Sequence, residues 1–183
     1  MGDDWCVKAK PRLFYKVFPL LKLRHKTILI VGGGDVACDN AINLAKFNKI
    51  IVCHRSKNTN ALPTLLAKVK QHPNITYYAN CKLQNIAAVT GKKKLGLMLD
   101  NFGKHVYIEV DYLLAAIGRL PQKDFYHSSL RLLEKKLIKQ GKLFLVGDVK
   151  NSVYRQTAIA TGDGIMAAMK IFHSMIKYDF TNY

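Results

Sequence analysis

Lys26-Thr27-Ile28-Leu29-Ile30-Val31-Gly32-Gly33-Gly34-Asp35-Val36-Ala37 is the stretch whose reading decides the fold of this chain. Thr27–Val31 is short, apolar and rich in β-branched residues, the composition of a parallel strand covered on both faces. The glycines halt it. Ala37, Ala41, Leu44 and Ala45 then recur at helical spacing up to Phe47, and Ile50-Ile51-Val52-Cys53 reads as a second buried strand. Strand, glycine turn, helix and strand together make one βαβ unit. The spacing Gly32-x-Gly34-x-x-Ala37 is that of a dinucleotide-binding turn. Its first glycine makes the tight turn, and its second lets backbone N–H groups approach a pyrophosphate. The small third residue lets the helix pack close to the strand. The anion then rests on the helix N-terminus, where unpaired N–H groups and the helix dipole favour it. Glycine spacing alone is a weak signal, but a strand before it and a helix after it supply the confirming context. Gly32, Gly33, Gly34, Asp35, Val36 and Ala37 are therefore candidate cofactor-binding residues.

The end of the second strand bears on which nucleotide is taken. An NAD site carries Asp or Glu there, bonded to the ribose hydroxyls. Here the strand runs into Cys53-His54-Arg55-Ser56-Lys57. A cationic cluster at that place suits a 2′-phosphate, and hence NADP(H), with His54, Arg55 and Lys57 as candidates. The same residues also read as plain surface charge in a basic protein.

Working outward, residues 1–24 show no clear period and read as a lead-in segment with one short helix. Leu62, Leu65, Leu66 and Val69 predict a helix that begins near Pro63, where proline is tolerated. Ile75–Tyr78 and Leu83–Val89 read as strands. Leu95–Leu99 and Val106–Val110 complete an antiparallel meander. Tyr112–Ile117 is again a buried strand, ended by Gly118. Residues 122–142 are polar and Lys-rich, Leu143–Val146 reads as a short strand ended by Gly147-Asp148, and Thr157–Ile176 as a long helix.

Composition narrows the classes. Hydrophobic residues make up 49% of the 183, enough for a packed core and too many for wholesale disorder. The net charge of +17 raises a nucleic-acid or anionic-membrane partner. Lysines far outnumber arginines, however, and are scattered rather than interleaved with aromatics on one face, so no nucleic-acid partner is expected. No apolar run is long enough to cross a bilayer, and no membrane partner is expected. The acidic, polar start does not read as a signal peptide. Cys6, Cys38, Cys53 and Cys81 have neither CxxC nor zinc-type spacing. They read as free thiols of a cytoplasmic protein, and no metal site is expected. No side chain stands out as an acid, base or nucleophile.

At this point a family resemblance enters. Ile28–Ala37 resembles the pyridine-nucleotide domain of low-molecular-weight thioredoxin reductases and of the related ferredoxin–NADP reductases. His54-Arg55 matches the His-Arg-Arg stretch that this family uses on the 2′-phosphate; Ser56 replaces its second Arg, and a further family Arg falls near Asn60. Ala115-Ala116-Ile117-Gly118-Arg119-Leu120-Pro121 is similar to the Ala-Ile-Gly motif that closes the family's nucleotide domain. Phe144–Val149 resembles its later flavin-binding strand, whose Asp, here Asp148 after Gly147, holds the ribityl chain. Tyr154-Arg155-Gln156-Thr157-Ala158, followed by Gly162-Asp163-Gly164, looks like the segment along the flavin ring at a helix N-terminus. Negative charge on a reduced flavin is favoured at such a terminus.

The resemblance implies an α/β fold: a Rossmann-like NAD(P)-binding domain over 25–121, with a parallel sheet and an antiparallel β-meander, then the C-terminal part of an FAD-binding domain over 122–183. It implies NADPH and FAD as cofactors, with Ile117, Gly118, Gly147, Asp148, Arg155, Gln156, Thr157 and Ala158 among the binding residues. Hydride would pass from NADPH to FAD, and electrons onward to a protein or disulfide acceptor. No glycine fingerprint for the ADP part of FAD precedes Thr27, and the redox CxxC of thioredoxin reductases is absent. The expectation is an incomplete flavin enzyme, completed by an unsequenced half or by a second chain supplying the FAD half, with a homodimer as the other partner. Two other readings stand beside this one. One is a non-catalytic NADP(H)-binding module. The other is an NAD-dependent enzyme of tetrapyrrole (siroheme) synthesis, whose family also opens on Val-Gly-Gly-Gly-x-Val-Ala but leaves the motifs at 117–118 and 147–156 without a role.

Overall fold

A computed structural model describes residues 10–118, 120, 122, 124–125, 127–152 and 154–180. Cys6, Arg119 and Pro121 of the motifs above lie outside them. The chain divides after Gly118 into two compact units.

The first unit is a layered α/β structure. Eight strands run in chain order: β1 (Leu13–Phe14), β2 (Thr27–Val31), β3 (Lys49–Cys53), β4 (Ile75–Tyr78), β5 (Cys81–Ala88), β6 (Leu95–Asn101), β7 (Lys104–Val110) and β8 (Tyr112–Ala115). Helix α1 (Asp35–Ala45) links β2 to β3, and α2 (Pro63–Gln71) links β3 to β4. Five strands form one sheet in the order β1-β8-β2-β3-β4, and every pair in it is parallel. The other three, β5-β6-β7, form an antiparallel meander.

The alternation along β2 shows why its residues are apolar throughout. Ile28 and Ile30 join Ala37, Ala41 and Leu44 of α1 in one core. Leu29, between them, joins Leu97, Leu99 and Val110 of the meander in a second core. Helices cover one face of the parallel sheet and the meander covers the other, so both sides of each central strand are dry. Ala37, Cys38, Ala41 and Ala45 are buried, and their small side chains bring α1 close to the sheet.

The segment ahead of Lys26 differs from expectation. It holds short 3-10 turns at Lys10–Arg12 and Phe18–Leu20, and β1 between them adds an edge strand beside β8. Buried Asn48 ties this segment in: its amide donates to Leu23 O and Leu44 O, both at 3.0 Å, and its Oδ1 accepts from Lys26 N at 3.1 Å. Both polar atoms of its side chain are thereby satisfied despite burial.

The second unit contains helices α3 (Ser128–Lys139) and α4 (Thr157–Phe180). Helix α3 was not expected. His127 caps it, with Nδ1 accepting from Ser129 N, and Gly141 (φ 67°) ends it in the left-handed conformation that glycine favours. Leu143–Val146, expected as a strand, is not one. The N–H groups of Lys142 and Leu143 donate back to Leu137 O, and no strand lies beside the segment among the described residues of this unit. A β-strand exists only where a neighbour takes its hydrogen bonds.

Candidate dinucleotide site

The site lies at the carboxyl edge of the parallel sheet, where open α/β sheets bind their ligands. Gly32 leaves β2 with φ 148°, and its N–H donates to Cys53 O at 2.9 Å. A Cβ on Gly32 would stand 2.3 Å from Ala116 O, so glycine is required by backbone and by space alike. Gly34 is the N-cap of α1, and nothing lies within 4 Å of where its Cβ would be. The space above it is open, and the first turn of α1 presents unpaired N–H groups beneath that space. Val36 is exposed on this turn while Ala37 is buried against the sheet.

The loop after β3 is fastened to the glycine turn. The Thr59 hydroxyl donates to Gly33 O and also accepts from Ala61 N at 3.1 Å. Asp35 Oδ1 accepts from Leu62 N at 2.7 Å. Asp35 is thus engaged at the start of α1, where a carboxylate also suits the helix dipole.

The three residues expected at a 2′-phosphate stand differently. Arg55 and Lys57 are exposed and have no partner among the described residues. His54 is only 6% exposed. Its Nε2 lies 2.7 Å from the Tyr77 hydroxyl, and its ring packs beneath Gly33, where a Cβ would meet His54 Cγ at 2.7 Å. Burial, with the charge of Lys70 added, lowers the His54 pKa and disfavours the imidazolium.

The end of β8 completes this edge. Ala116 N donates to Val31 O at 2.8 Å and touches Gly32, after which Ile117 is exposed and Gly118 adopts φ 85°. The structure therefore gathers Gly32–Ala37, His54 and the Ala116–Gly118 corner at one end of one sheet. Tyr77 and Thr59 belong to the same construction and were missed. Their contacts with His54 and Gly33 span 23 and 26 residues, and no local pattern announces them.

The other candidates belong to the second unit. Gly147 (φ 71°) opens a 3-10 turn over Gly147–Val149. Asp163 of α4 clasps that turn, accepting from Gly147 N at 3.1 Å, Asn151 Nδ2 at 2.5 Å and Lys150 Nζ at 3.2 Å. These bonds, led by that from Asn151, lower the Asp163 pKa. Asp148 is exposed, Arg155 half-buried, and Gln156, Thr157 and Ala158 are exposed at the start of α4.

Cys53 and Cys81, distant in sequence, meet inside the first unit. Both are buried, and the Cys53 thiol is pushed up to about 12 by burial and by its neighbour Cys81. Cys38, Cys53 and Cys81 are free. No cluster suited to a metal ion occurs among the described residues. None of their helices is long and apolar enough to cross a membrane.

A layered parallel sheet with an open glycine turn at its carboxyl edge defines a dinucleotide-binding protein of the α/β class. The family profile for pyridine nucleotide-disulphide oxidoreductases matches residues 8–164. The chain belongs to that family, whose thioredoxin reductase-like members use FAD and NADPH. The match runs through the motifs at 117–118 and 147–156, which the tetrapyrrole reading leaves idle.

Similar proteins include a thioredoxin reductase of Spironucleus barkhanus, 27% identical over 156 residues, covering 80% of this chain and 51% of the relative. The mitochondrial thioredoxin reductase 2 of Saccharomyces cerevisiae is 30% identical over 158 residues, covering 80% and 46%. A glucosaminate ammonia-lyase of Pseudomonas fluorescens is 28% identical over 166 residues, covering 80% and 51%. The chain spans about half the length of the curated relatives it matches. The fold is that of Lactococcus lactis thioredoxin reductase in its FR conformation, with TM-score 0.78, 21% identity, and 96% of this chain and 61% of that one covered.

Proposed function

We propose that this chain is the nucleotide-binding part, with a portion of the flavin domain, of an NAD(P)H-dependent flavin oxidoreductase. Gly32–Ala37 would hold NADP(H), with Gly33 and Gly34 receiving the pyrophosphate, and Arg55 and Lys57 would take the 2′-phosphate. The observation that supports this best is the open N-cap at Gly34, next to a Gly32 that tolerates no side chain.

When bound, NADPH and FAD would supply the redox chemistry, hydride transfer between them and electrons for a protein or disulfide acceptor. The chain's own residues bind and orient. Asp148 is the residue offered to the ribityl chain, and Arg155–Ala158 at the start of α4 are those offered to the flavin ring. The remaining FAD contacts would come from another half of the flavin domain, joined to this one in a longer protein, carried on a second chain, or supplied by a second copy. The buried, high-pKa pair Cys53 and Cys81 is unsuited to disulfide exchange, which needs an accessible thiolate, so the acceptor's own sulfurs or another redox group receive the electrons. The ammonia-lyase among the relatives shows that likeness to this family does not fix the final reaction.

The test is calorimetric titration of the chain with NADPH and NADH. Gly34→Val is expected to abolish binding of both, because its side chain fills the space the pyrophosphate needs. Unchanged affinity in that variant would sink the site assignment.

A further inference from the structure

We propose that His54 is a positioning residue of the dinucleotide turn: its imidazole, backed by Tyr77, is the floor on which Gly33 lies, and it serves NADPH and NADH alike. The inference rests on the nucleotide-binding reading above and assigns His54 a different task from Arg55 and Lys57.

The geometry of His54 is fixed on every side. Its backbone N–H donates to Tyr78 O at 3.2 Å, and its carbonyl accepts from Cys81 N at 2.8 Å, so its Cα is held between β4 and β5. Its Nε2 is bonded to the Tyr77 hydroxyl at 2.7 Å, and the two rings stand 5.4 Å apart between centroids. The Lys70 ammonium lies 5.6 Å from the centroid of the Tyr77 ring, adding a cation–π contact to the outer member of the stack.

Gly33 is the part of the turn that meets this stack. A Cβ there would lie 2.7 Å from His54 Cγ and 2.9 Å from Nδ1. Gly33 does not have a positive φ, so its backbone alone would accept alanine. The imidazole is what excludes a side chain. With the ring against its Cα and the Thr59 hydroxyl on its carbonyl, Gly33 has one place to be. Gly34 follows it directly, so that place determines where the N–H groups at the start of α1 present themselves to a pyrophosphate. A buried ring with one nitrogen already bonded to Tyr77, in surroundings that disfavour the imidazolium, is poorly placed to meet a phosphate. The exposed Arg55 and Lys57, unpartnered among the described residues, are better placed.

The proposal is tested on the full chain with Gly33→Ala, His54→Ala and the double variant. Dissociation constants for NADPH and NADH are measured well below each variant's melting temperature. Each single change is expected to weaken both nucleotides by about tenfold, with the NADPH-to-NADH ratio preserved. The double variant is expected to bind both at least about fivefold more tightly than Gly33→Ala, because the ring that clashed is gone and contacting residues couple. A loss confined to NADPH in His54→Ala would make His54 a phosphate reader and overturn the inference while leaving the nucleotide site intact. Additive effects in the double variant, or a lowered melting temperature with both affinities unchanged, would overturn it equally. Wild-type chain that binds neither nucleotide removes the underlying reading along with it. Should His54→Ala fail to fold, Tyr77→Phe keeps the ring and deletes its hydroxyl. A like weakening of both nucleotides is then expected, and a selective or absent effect counts against the proposal.

Discussion

An exposed guanidinium without an ion-pair partner costs a protein nothing and gains it little until an anion arrives, and among the described residues Arg55 is in that condition. If it meets the 2′-phosphate, the bond is charge-assisted, and Arg55→Ala weakens NADPH by about 1–3 kcal/mol while leaving NADH nearly unchanged. Calorimetry with both nucleotides reads this directly, and equal loss for the two would show that Arg55 does not read that phosphate. His54, next to it, carries a pH dependence of the fold itself. Its folded pKa lies below the ordinary 6.5, because burial and Lys70 disfavour the imidazolium. As pH falls, the unfolded chain therefore takes up the proton first, and protonation favours unfolding. The contribution is present in full above about pH 6.5, the unfolded value, and is lost as pH falls from there toward the folded pKa. Urea midpoints at pH 7.5 and 5.5 should drop more steeply in the wild type than in His54→Gln. Equal slopes would mean that His54 is not desolvated in the folded state.

At the scale of elements, legibility followed from how much of each signal is local. The strands β2 and β3 could be read because both of their faces are largely dry and their apolar runs are short and bounded. The glycine turn could be read because steric need writes itself into residue type. Helix α3 was not read: Leu130, Leu133 and Leu137 share a helical face but are diluted among lysines, and no residue of α3 is fully buried to force the pattern. Leu143–Val146 was read as a strand because it is apolar, but apolarity names a buried face and not the partner that makes a ladder. Strand β1, with two residues, is too short for any period. The floor beneath the turn escaped for a related reason, since the pairing of His54 with Tyr77 is a fact of register between β3 and β4. Cys53 of β3 meets Cys81 at the start of β5, and this element-level contact makes a prediction about reactivity. Thiols that are buried and hard to ionise do not attack disulfides. In native protein, Cys38, Cys53 and Cys81 should therefore be inert to an aromatic disulfide reagent over the time in which a urea-unfolded sample reacts fully. Fast native reaction at Cys53 or Cys81, located by peptide mapping, would show that the layer over them opens.

For the whole molecule, the two units differ in how far they satisfy themselves. The first has two cores, one on each face of its sheet, and a closed account of its buried polar groups at Asn48 and His54. The second exposes Ile165, Met166, Met169, Phe172 and Met175 along α4, and its described residues include no strand. Exposed apolar side chains in such number along a helix are a surface that seeks cover. This difference bears on flavin. On the proposed reading residues 143–176 offer Asp148 to a ribityl chain and Arg155 and Gln156 to a ring, while among the described residues the glycine turn between a strand and a helix is the one at Gly32. The adenosine and pyrophosphate of FAD would have no second helix N-terminus of that kind to rest on. Residues 1–183 expressed alone should therefore bind NADPH but not retain FAD. After incubation with FAD and gel filtration, the protein is expected to elute colourless or to aggregate through α4. Adding a chain that carries an FAD-type glycine fingerprint should yield a yellow complex in which absorbance near that of bound flavin co-elutes with both polypeptides. A stable yellow monomer of residues 1–183, with one equivalent of flavin, would mean that the second unit repacks into a flavin site by itself, and the need for a partner half would be refuted.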